Sequence, residues 1–278
     1  MHPVLFRVGS FELYTYGFFI AVGATLGTVF MWWQGKRRYG LSFDQANSLF
    51  LLLLFAGVAG GKAFVIFENP SFYFHNPSKL LSANGFVFYG SLLVSIPLML
   101  WFFRKNKIPV LGMLDVMAMV TCIVHGFGRI GCFHAGCCYG KPTSSFLGVV
   151  FTDPTCQARP LNIPLHPTQL YEAALIFIIL IVLFFLDRHK RFDGQVFLTY
   201  LILYGFCRGI LEFYRGDLQR GFVIDGILSN SQAISLLIIS ATIYFYVKLN
   251  RKATFPLSNS RSWKTKPFVS DSQGPLKK

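Results

Sequence analysis

Long apolar runs separated by short polar breaks occupy most of this chain. Seven of them approach the roughly 20 largely apolar residues that a helix needs to cross hydrocarbon. They cover residues 14–33, 45–67, 86–103, 111–127, 170–186, 195–214 and 231–249. The fourth is shorter, and the sixth is interrupted by Arg208 and Glu212. None has the broad polar face of a helix packed on a soluble core, and no repeat with a period of about 20 to 50 residues points to a solenoid. The pattern predicts an all-α polytopic membrane protein of about seven transmembrane helices, with residues 1–249 as its membrane domain.

The basic residues add an orientation, because cytoplasmic loops carry the excess of Lys and Arg. Lys36, Arg37 and Arg38 follow the first run, Arg104, Lys105 and Lys107 the third, and Arg188, Lys190 and Arg191 the fifth; eight more, from Lys248 to Lys278, lie at the end of the seventh and beyond it. Together these are 17 of the 26 basic residues, and the remaining nine, from Arg7 to Arg220, are spread across or near the other side. The N-terminus is expected outside and the C-terminus in the cytoplasm. The mixed segment 1–13 precedes the first run and no small-residue cleavage site follows it, so no cleaved signal peptide is needed. Residues 250–278 hold Ser, Lys and Pro with no apolar run, and are expected to form a disordered cytoplasmic tail drawn to anionic lipid heads.

Composition agrees. Hydrophobic residues make up 53% of the chain and charged ones 14%, against roughly 25% charged in soluble domains. Mean hydropathy is +0.50. This excludes disorder for most of the length. The net charge of +14 does not indicate nucleic acid, since the cations fall in clusters between apolar runs rather than on one soluble face.

Three polar clusters interrupt the apolar background. Spacings of four, four and three place Tyr204, Arg208, Glu212 and Arg215 on one face of the sixth run. Ionisable groups at membrane depth are costly and are functional candidates by default. Two Arg for one Glu leave a positive excess that suits an anionic group, and a guanidinium fork matches phosphate. A buried Arg208–Glu212 pair that only locks helix packing is the alternative.

The second cluster, 125–141, begins at His125, closes the fourth run and opens the long external segment 128–169. It holds five glycines, Arg129, His134, Lys141 and three cysteines, Cys132, Cys137 and Cys138. Glycines let backbone N–H groups approach an anion, so the segment could cradle a phosphate; a tight helix-packing turn is the plainer reading. The cysteine spacing suits zinc poorly, because structural sites usually repeat a C-x(2–4)-C pair. No metal and no cofactor is expected. A disulfide among Cys132, Cys137 and Cys156, or a nucleophilic cysteine beside Arg129, stays open. In the third cluster, His166-Pro-Thr-Gln-Leu-Tyr171-Glu172, Pro167 and Thr168 suit a helix start and Glu172 suits its positive end.

At these residues the sequence resembles the prolipoprotein diacylglyceryl transferase family of bacterial inner membranes, over most of residues 2–249. The likeness shows in His2-Pro-Val-Leu-Phe with Tyr16-Gly17, in Gly60-Gly61-Lys62 and in Asp115. It is sharpest in Gly128-Arg129-Ile-Gly131-Cys132-Phe with Gly140, in the His166–Glu172 cluster, and in Tyr204-Gly-Phe-Cys-Arg208 with Glu212-Phe-Tyr-Arg215. The resemblance implies transfer of diacylglyceryl from phosphatidylglycerol to the lipobox cysteine of a preprolipoprotein signal peptide. It implies a multi-pass protein of the bacterial inner membrane whose active site faces the periplasmic side. Arg129, Arg208, Tyr89 and Tyr16 are the implied catalytic residues. Arg129, Gly131, Cys132, Gly140, Tyr204, Arg208, Glu212 and His166 are the implied phosphatidylglycerol-binding set.

The sequence departs from the family at three places. Asn is usual in the family where Cys132 stands, Glu is common where Cys137 stands, and a family His corresponds to Tyr89. The general base is thereby left open among Tyr89, His125, His134 and His166, or absent. Competing functions are a divergent paralogue using the same lipid donor on another acceptor, and a membrane transporter with Arg208 and Glu212 as ligands.

Overall fold

The computed structural model describes residues 3–9, 11–75, 79, 87–216, 222–224 and 228–254. The chain opens with an antiparallel hairpin, β1 (Val4–Val8) and β2 (Phe11–Tyr14), which leads straight into α1 (Thr15–Tyr39). There follow α2 (Phe43–Glu68), the short α3 (Pro70–His75), α4 (Phe88–Lys105) and α5 (Val110–Ala135). A two-residue pair, β3 (Val149–Val150) with β4 (Pro164–Leu165), sits in the long connection to α6 (Thr168–Arg188). Next come α7 (Gln195–Leu211), a 3-10 turn (Glu212–Tyr214), a small hairpin of β5 (Phe222–Ile224) and β6 (Leu228–Ser229), and α8 (Asn230–Thr254).

Each predicted run corresponds to a helix among the described residues, and the fold is that of an all-α polytopic membrane protein. By length and apolarity α1, α2, α5, α6, α8 and α7 with its 3-10 turn can cross a membrane. α4 has 18 residues and ends in Arg104 and Lys105. The outward faces carry Phe55, Phe67, Ile181, Phe185 and Leu237, each more than half exposed, a surface that is stable against lipid but not against water. α5 is the central element: it packs on α1, α6 and α7, while α4 closes on α2 and α8 on α7.

Small residues allow these contacts. Any Cβ on Gly60 would stand 2.5 Å from the carbonyl oxygen of Gly90, and one on Gly90 would stand 2.6 Å from that of Gly60, so α2 and α4 cross backbone to backbone. Gly23 and Gly27 do the same for α1 against Val124 and Phe127 of α5.

The end of the bundle that holds the basic clusters is tied by polar side chains. Asp115, fully buried near the start of α5, accepts from the backbone N–H of Gly194 and of Phe197, both at 2.9 Å, and from Lys190 Nζ at 2.7 Å. It thus supplies the carboxylate that the positive end of α7 favours. Arg38 at the end of α1 pairs bidentately with Asp187 at the end of α6.

Two expectations change. The first and fourth runs extend well past their predicted ends, to Tyr39 and Ala135, because helix-forming Lys and Arg residues continue α1 and because the glycines of α5 pack rather than break it. Segment 128–169 is therefore not one loop, since it begins with two turns of α5. His2 and the tail 255–278 lie outside the described residues; residues 250–254 still belong to α8.

Candidate active site

Opposite the basic end, the last turns of α5, the first turn of α6 and the last turns of α7 converge. Their sequence spacings present polar side chains inward: His125, Arg129 and Cys132 from α5, Thr168 and Glu172 from α6, Tyr204 and Arg208 from α7. Glu172 is the hub, with a side chain only 5% exposed. Its Oε2 lies 3.1 Å from Arg129 Nε, its Oε1 accepts from the Tyr204 hydroxyl at 3.1 Å, and His125 Nε2 stands 3.4 Å from Oε1. Arg129 Nε also donates to His125 Nε2 at 3.1 Å. A buried carboxylate needs such partners to remain charged.

Arg129 is anchored through Nε alone, and its two Nη groups make no hydrogen bond among the described residues. A guanidinium held from behind presents a planar fork of donors forward.

Arg208 Nη1 donates to Glu212 Oε2 at 2.6 Å, so the pair expected from the sequence does form. The four-residue face holds through Glu212 but not to Arg215. α7 ends at Leu211, the chain tightens into a 3-10 turn, and Arg215 leaves it with extended backbone to bridge Gly140. Three arginines against Glu172 and Glu212 leave one positive charge in excess at neutral pH, which matches a singly charged phosphodiester.

Gly140 lies where three segments meet. Its N–H donates to His166 O at 2.8 Å, His166 N–H returns to Lys141 O at 3.0 Å, Lys141 N–H reaches Tyr214 O at 2.9 Å and Gly216 N–H reaches Tyr139 O at 3.1 Å. A Cβ there would come within 2.5 Å of His166 Cβ. His166 is thus clamped rather than exposed, with Nδ1 at 3.2 Å from the Tyr171 hydroxyl and its ring edge-on to Tyr214.

The glycine-rich phosphate cradle is not what the glycines make. Gly126, Gly128 and Gly131 are helical, and their missing side chains admit Phe177, Ile20 and Tyr16 with Phe19 respectively. They serve helix packing, the plainer of the two readings. The N–H groups of an unbroken helix are already used within it and cannot cradle an anion.

Gly136 ends α5 in the left-handed region (φ +72°) and Cys138 follows at φ +58°. This reversal brings Cys132, Cys137 and Cys138 together, with all three sulfurs within 4.8 Å of one another. All six cysteines are free thiols. Hydrogen bonds from Cys132 and Cys137 lower the Cys138 thiol pKa against its burial, helped by Arg129 and Arg215, and the Cys137 thiol is pushed up in turn.

Tyr16 lies over Gly131 and is 44% exposed, an electrostatic neighbour of Arg129 and Cys132. Tyr89 stands 56% exposed in the first turn of α4. The described partners of Arg129 and Arg208 are instead Glu172, His125 and Glu212. Sequence reasoning passed over Glu172 as a helix-start residue. The available signal was its place as the one carboxylate in the first half of α6, four residues after Thr168.

The model of the family described as prolipoprotein diacylglyceryl transferase matches residues 3–248. A phosphatidylglycerol–prolipoprotein diacylglyceryl transferase of Clostridium tetani is 38% identical over 247 residues, covering 88% of this chain and 97% of the relative. A second such transferase, from Clostridium perfringens, is 33% identical with 88% and 94% covered. One from Ehrlichia canis is 32% identical with 87% and 94% covered. A match of this extent, over a range that contains the whole Arg129–Glu172–Tyr204 cluster, means that the chain belongs to the prolipoprotein diacylglyceryl transferase family.

Proposed function

We propose that this protein moves the diacylglyceryl group of phosphatidylglycerol onto the lipobox cysteine thiol of a preprolipoprotein signal peptide, the first step of lipoprotein maturation. The observation that carries this reading is the fork of Arg129, half-buried, fixed from behind by Glu172 and His125, and open in front.

In the reaction the acceptor sulfur attacks the glyceryl carbon, the carbon–oxygen bond breaks, and its electron pair leaves on the phosphate oxygen as glycerol phosphate. The leaving group gains charge in the transition state, so fixed cations around it lower the barrier more than they stabilise the bound lipid. Arg129 holds two phosphate oxygens, and Arg208 adds a second positive charge. Glu172, itself held by Tyr204, fixes Arg129 together with His125 and excludes alternative rotamers. Tyr16, Gly131, Cys132, Gly140 and His166 line the same end of the bundle, where a lipid head arriving from the bilayer would rest. That end faces the periplasmic side of the bacterial inner membrane, with seven crossings, the N-terminus outside and the C-terminus within.

The test is mass spectrometry of a lipobox peptide incubated with the protein in phosphatidylglycerol vesicles. A diacylglyceryl mass gain on the cysteine, with glycerol phosphate released, is expected. An unmodified peptide overturns the reading and favours a transporter. The departures at Cys132 and Cys137 favour one second reading, a paralogue with another acceptor, and lipidation of a different thiol with the lipobox peptide untouched would establish it.

A further inference from the structure

Resting on that reading, we propose that Cys132, Cys137 and Cys138 form a three-thiolate site for a zinc ion, whose fourth position takes the acceptor thiol.

The geometry is close to what such an ion needs. A tetrahedral ion with Zn–S near 2.3 Å holds its sulfurs about 3.8 Å apart, and here all three lie within 4.8 Å of one another. Side-chain adjustments of under about 1 Å close the set, whereas a disulfide at about 2.05 Å would take two sulfurs and leave the third idle. Catalytic zinc sites characteristically have three protein ligands and one open position.

The thiols are also held in place from outside. The Cys137 N–H donates to Cys132 O at 3.2 Å across the Gly136 turn. Thr168 Oγ1 donates to Cys138 O at 2.7 Å, and Gln169 Nε2 donates to Cys137 O at 2.6 Å. These contacts over-determine a backbone that at Cys138 sits in the left-handed region, where Gly and Asn are the usual occupants. A chain that needed only a turn would place Gly or Asn there.

A second observation points to a ligand. Gln169 is 1% exposed, and its Oε1, the other end of the amide that holds Cys137, is buried without a hydrogen-bond partner among the described residues. Orphaned buried acceptors are rare and call for an occupant. A bound water or an N–H of the acceptor peptide would satisfy it. Charge is consistent as well: three thiolates and a divalent ion leave one negative charge, beside Arg129 and Arg215.

The chemistry addresses the departure at Tyr89. Zinc binds the acceptor cysteine as thiolate and its proton passes to solvent, so no strong side-chain base is required. The thiolate sulfur then bonds to the glyceryl carbon as the carbon–oxygen bond breaks, and the electron pair leaves on glycerol phosphate. The thioether formed is neutral, a weaker zinc ligand than the thiolate, and departs. Nothing is oxidised or reduced.

The experiment uses the full chain in phosphatidylglycerol nanodiscs, stripped with chelator under reducing conditions and reloaded with Zn2+ or Co2+. One ion per chain is expected, and the Co2+ form should show thiolate-to-cobalt charge transfer. That spectrum should change on adding a lipobox peptide but not its Cys→Ser counterpart. Cys137→Ser and Cys138→Ser should each weaken binding at least tenfold while the protein remains folded by circular dichroism. A reduced protein that retains no stoichiometric ion, or Ser variants that bind as wild type, overturns the site. Lipidation by chelator-stripped protein at the full rate overturns the role of the ion and leaves the transferase reading standing. Stoichiometric metal with no lipidation by any preparation overturns that reading and the role of the ion with it.

Discussion

Arg129 and Arg208 carry the same charge but are held differently. Arg129 is anchored through Nε to Glu172 and His125, and Arg208 through Nη1 to Glu212. A lysine in either place would keep the charge and lose the planar fork. Arg129→Lys and Arg208→Lys should each lower peptide lipidation about 100-fold, the scale on which removing one preorganised donor acts. Wild-type rates in both variants would refute the assignment. Tyr89, exposed in the first turn of α4, is not among the described contacts of Arg129, and we propose that it positions the lipid head. Tyr89→Phe should lower the rate about tenfold, equivalent to about 1.4 kcal/mol in barrier, without reshaping the pH–rate profile. A loss of several orders of magnitude with a displaced alkaline limb would instead make Tyr89 the base.

Among elements, the strapping of the 139–142 segment to His166 and Tyr214 decides whether three helix ends share one site. Gly140→Ala puts a methyl 2.5 Å from His166 Cβ and 2.8 Å from Tyr214 O, where the backbone cannot yield cheaply. Its expected effect is a fall in activity of at least tenfold with bundle stability little changed, since the contact lies at the rim; unchanged turnover would show that the strap is incidental. The opposite end depends on Asp115 and Lys190. Burial pulls the Lys190 pKa down, but the Asp115 hydrogen bond and charge more than offset this, and the result lies above 10.5. A raised value means stabilisation that is complete below pH 10.5 and lost as pH climbs through the folded value. Lys190→Met should therefore cost about 3 kcal/mol at neutral pH, with the gap to wild type closing only in strong alkali. Thermal unfolding in detergent across that range checks it.

The runs that became helices were legible because lipid imposes a length and composition rule on each one separately. Tertiary roles were not. Gly126, Gly128 and Gly131 read as anion-binding until Phe177, Ile20 and Tyr16 are seen against them. Glu172 read as a capping residue because its partners lie on other helices, Tyr204 alone being 32 residues away. The three-thiol cluster depends on a positive φ at Cys138 that no spacing rule reveals.

For the whole molecule, the helices alternate in direction, so their chemistry divides between two ends. The last turns of α1, α4, α6 and α8 hold Lys36–Arg38, Arg104 with Lys105, Arg188, and Arg251 with Lys252. The opposite end holds Arg129, Arg208 and Arg215, each close to Glu172, Glu212 or a thiol. Cations in short loops resist translocation, whereas an arginine paired with a buried carboxylate is retained by its partner. Arg38 is likewise paired, with Asp187, but Lys36, Arg37, Arg104, Lys105, Arg188, Arg251 and Lys252 have no carboxylate partner among the described residues, and these cations support the orientation proposed from the tally of 17 against nine. Reporter fusions after Arg38, Lys141 and Lys190 should read cytoplasmic, external, cytoplasmic. If α4 does not cross, the fusions after Arg38 and Lys141 will read on the same side, and both the count of seven and the external site will fall together.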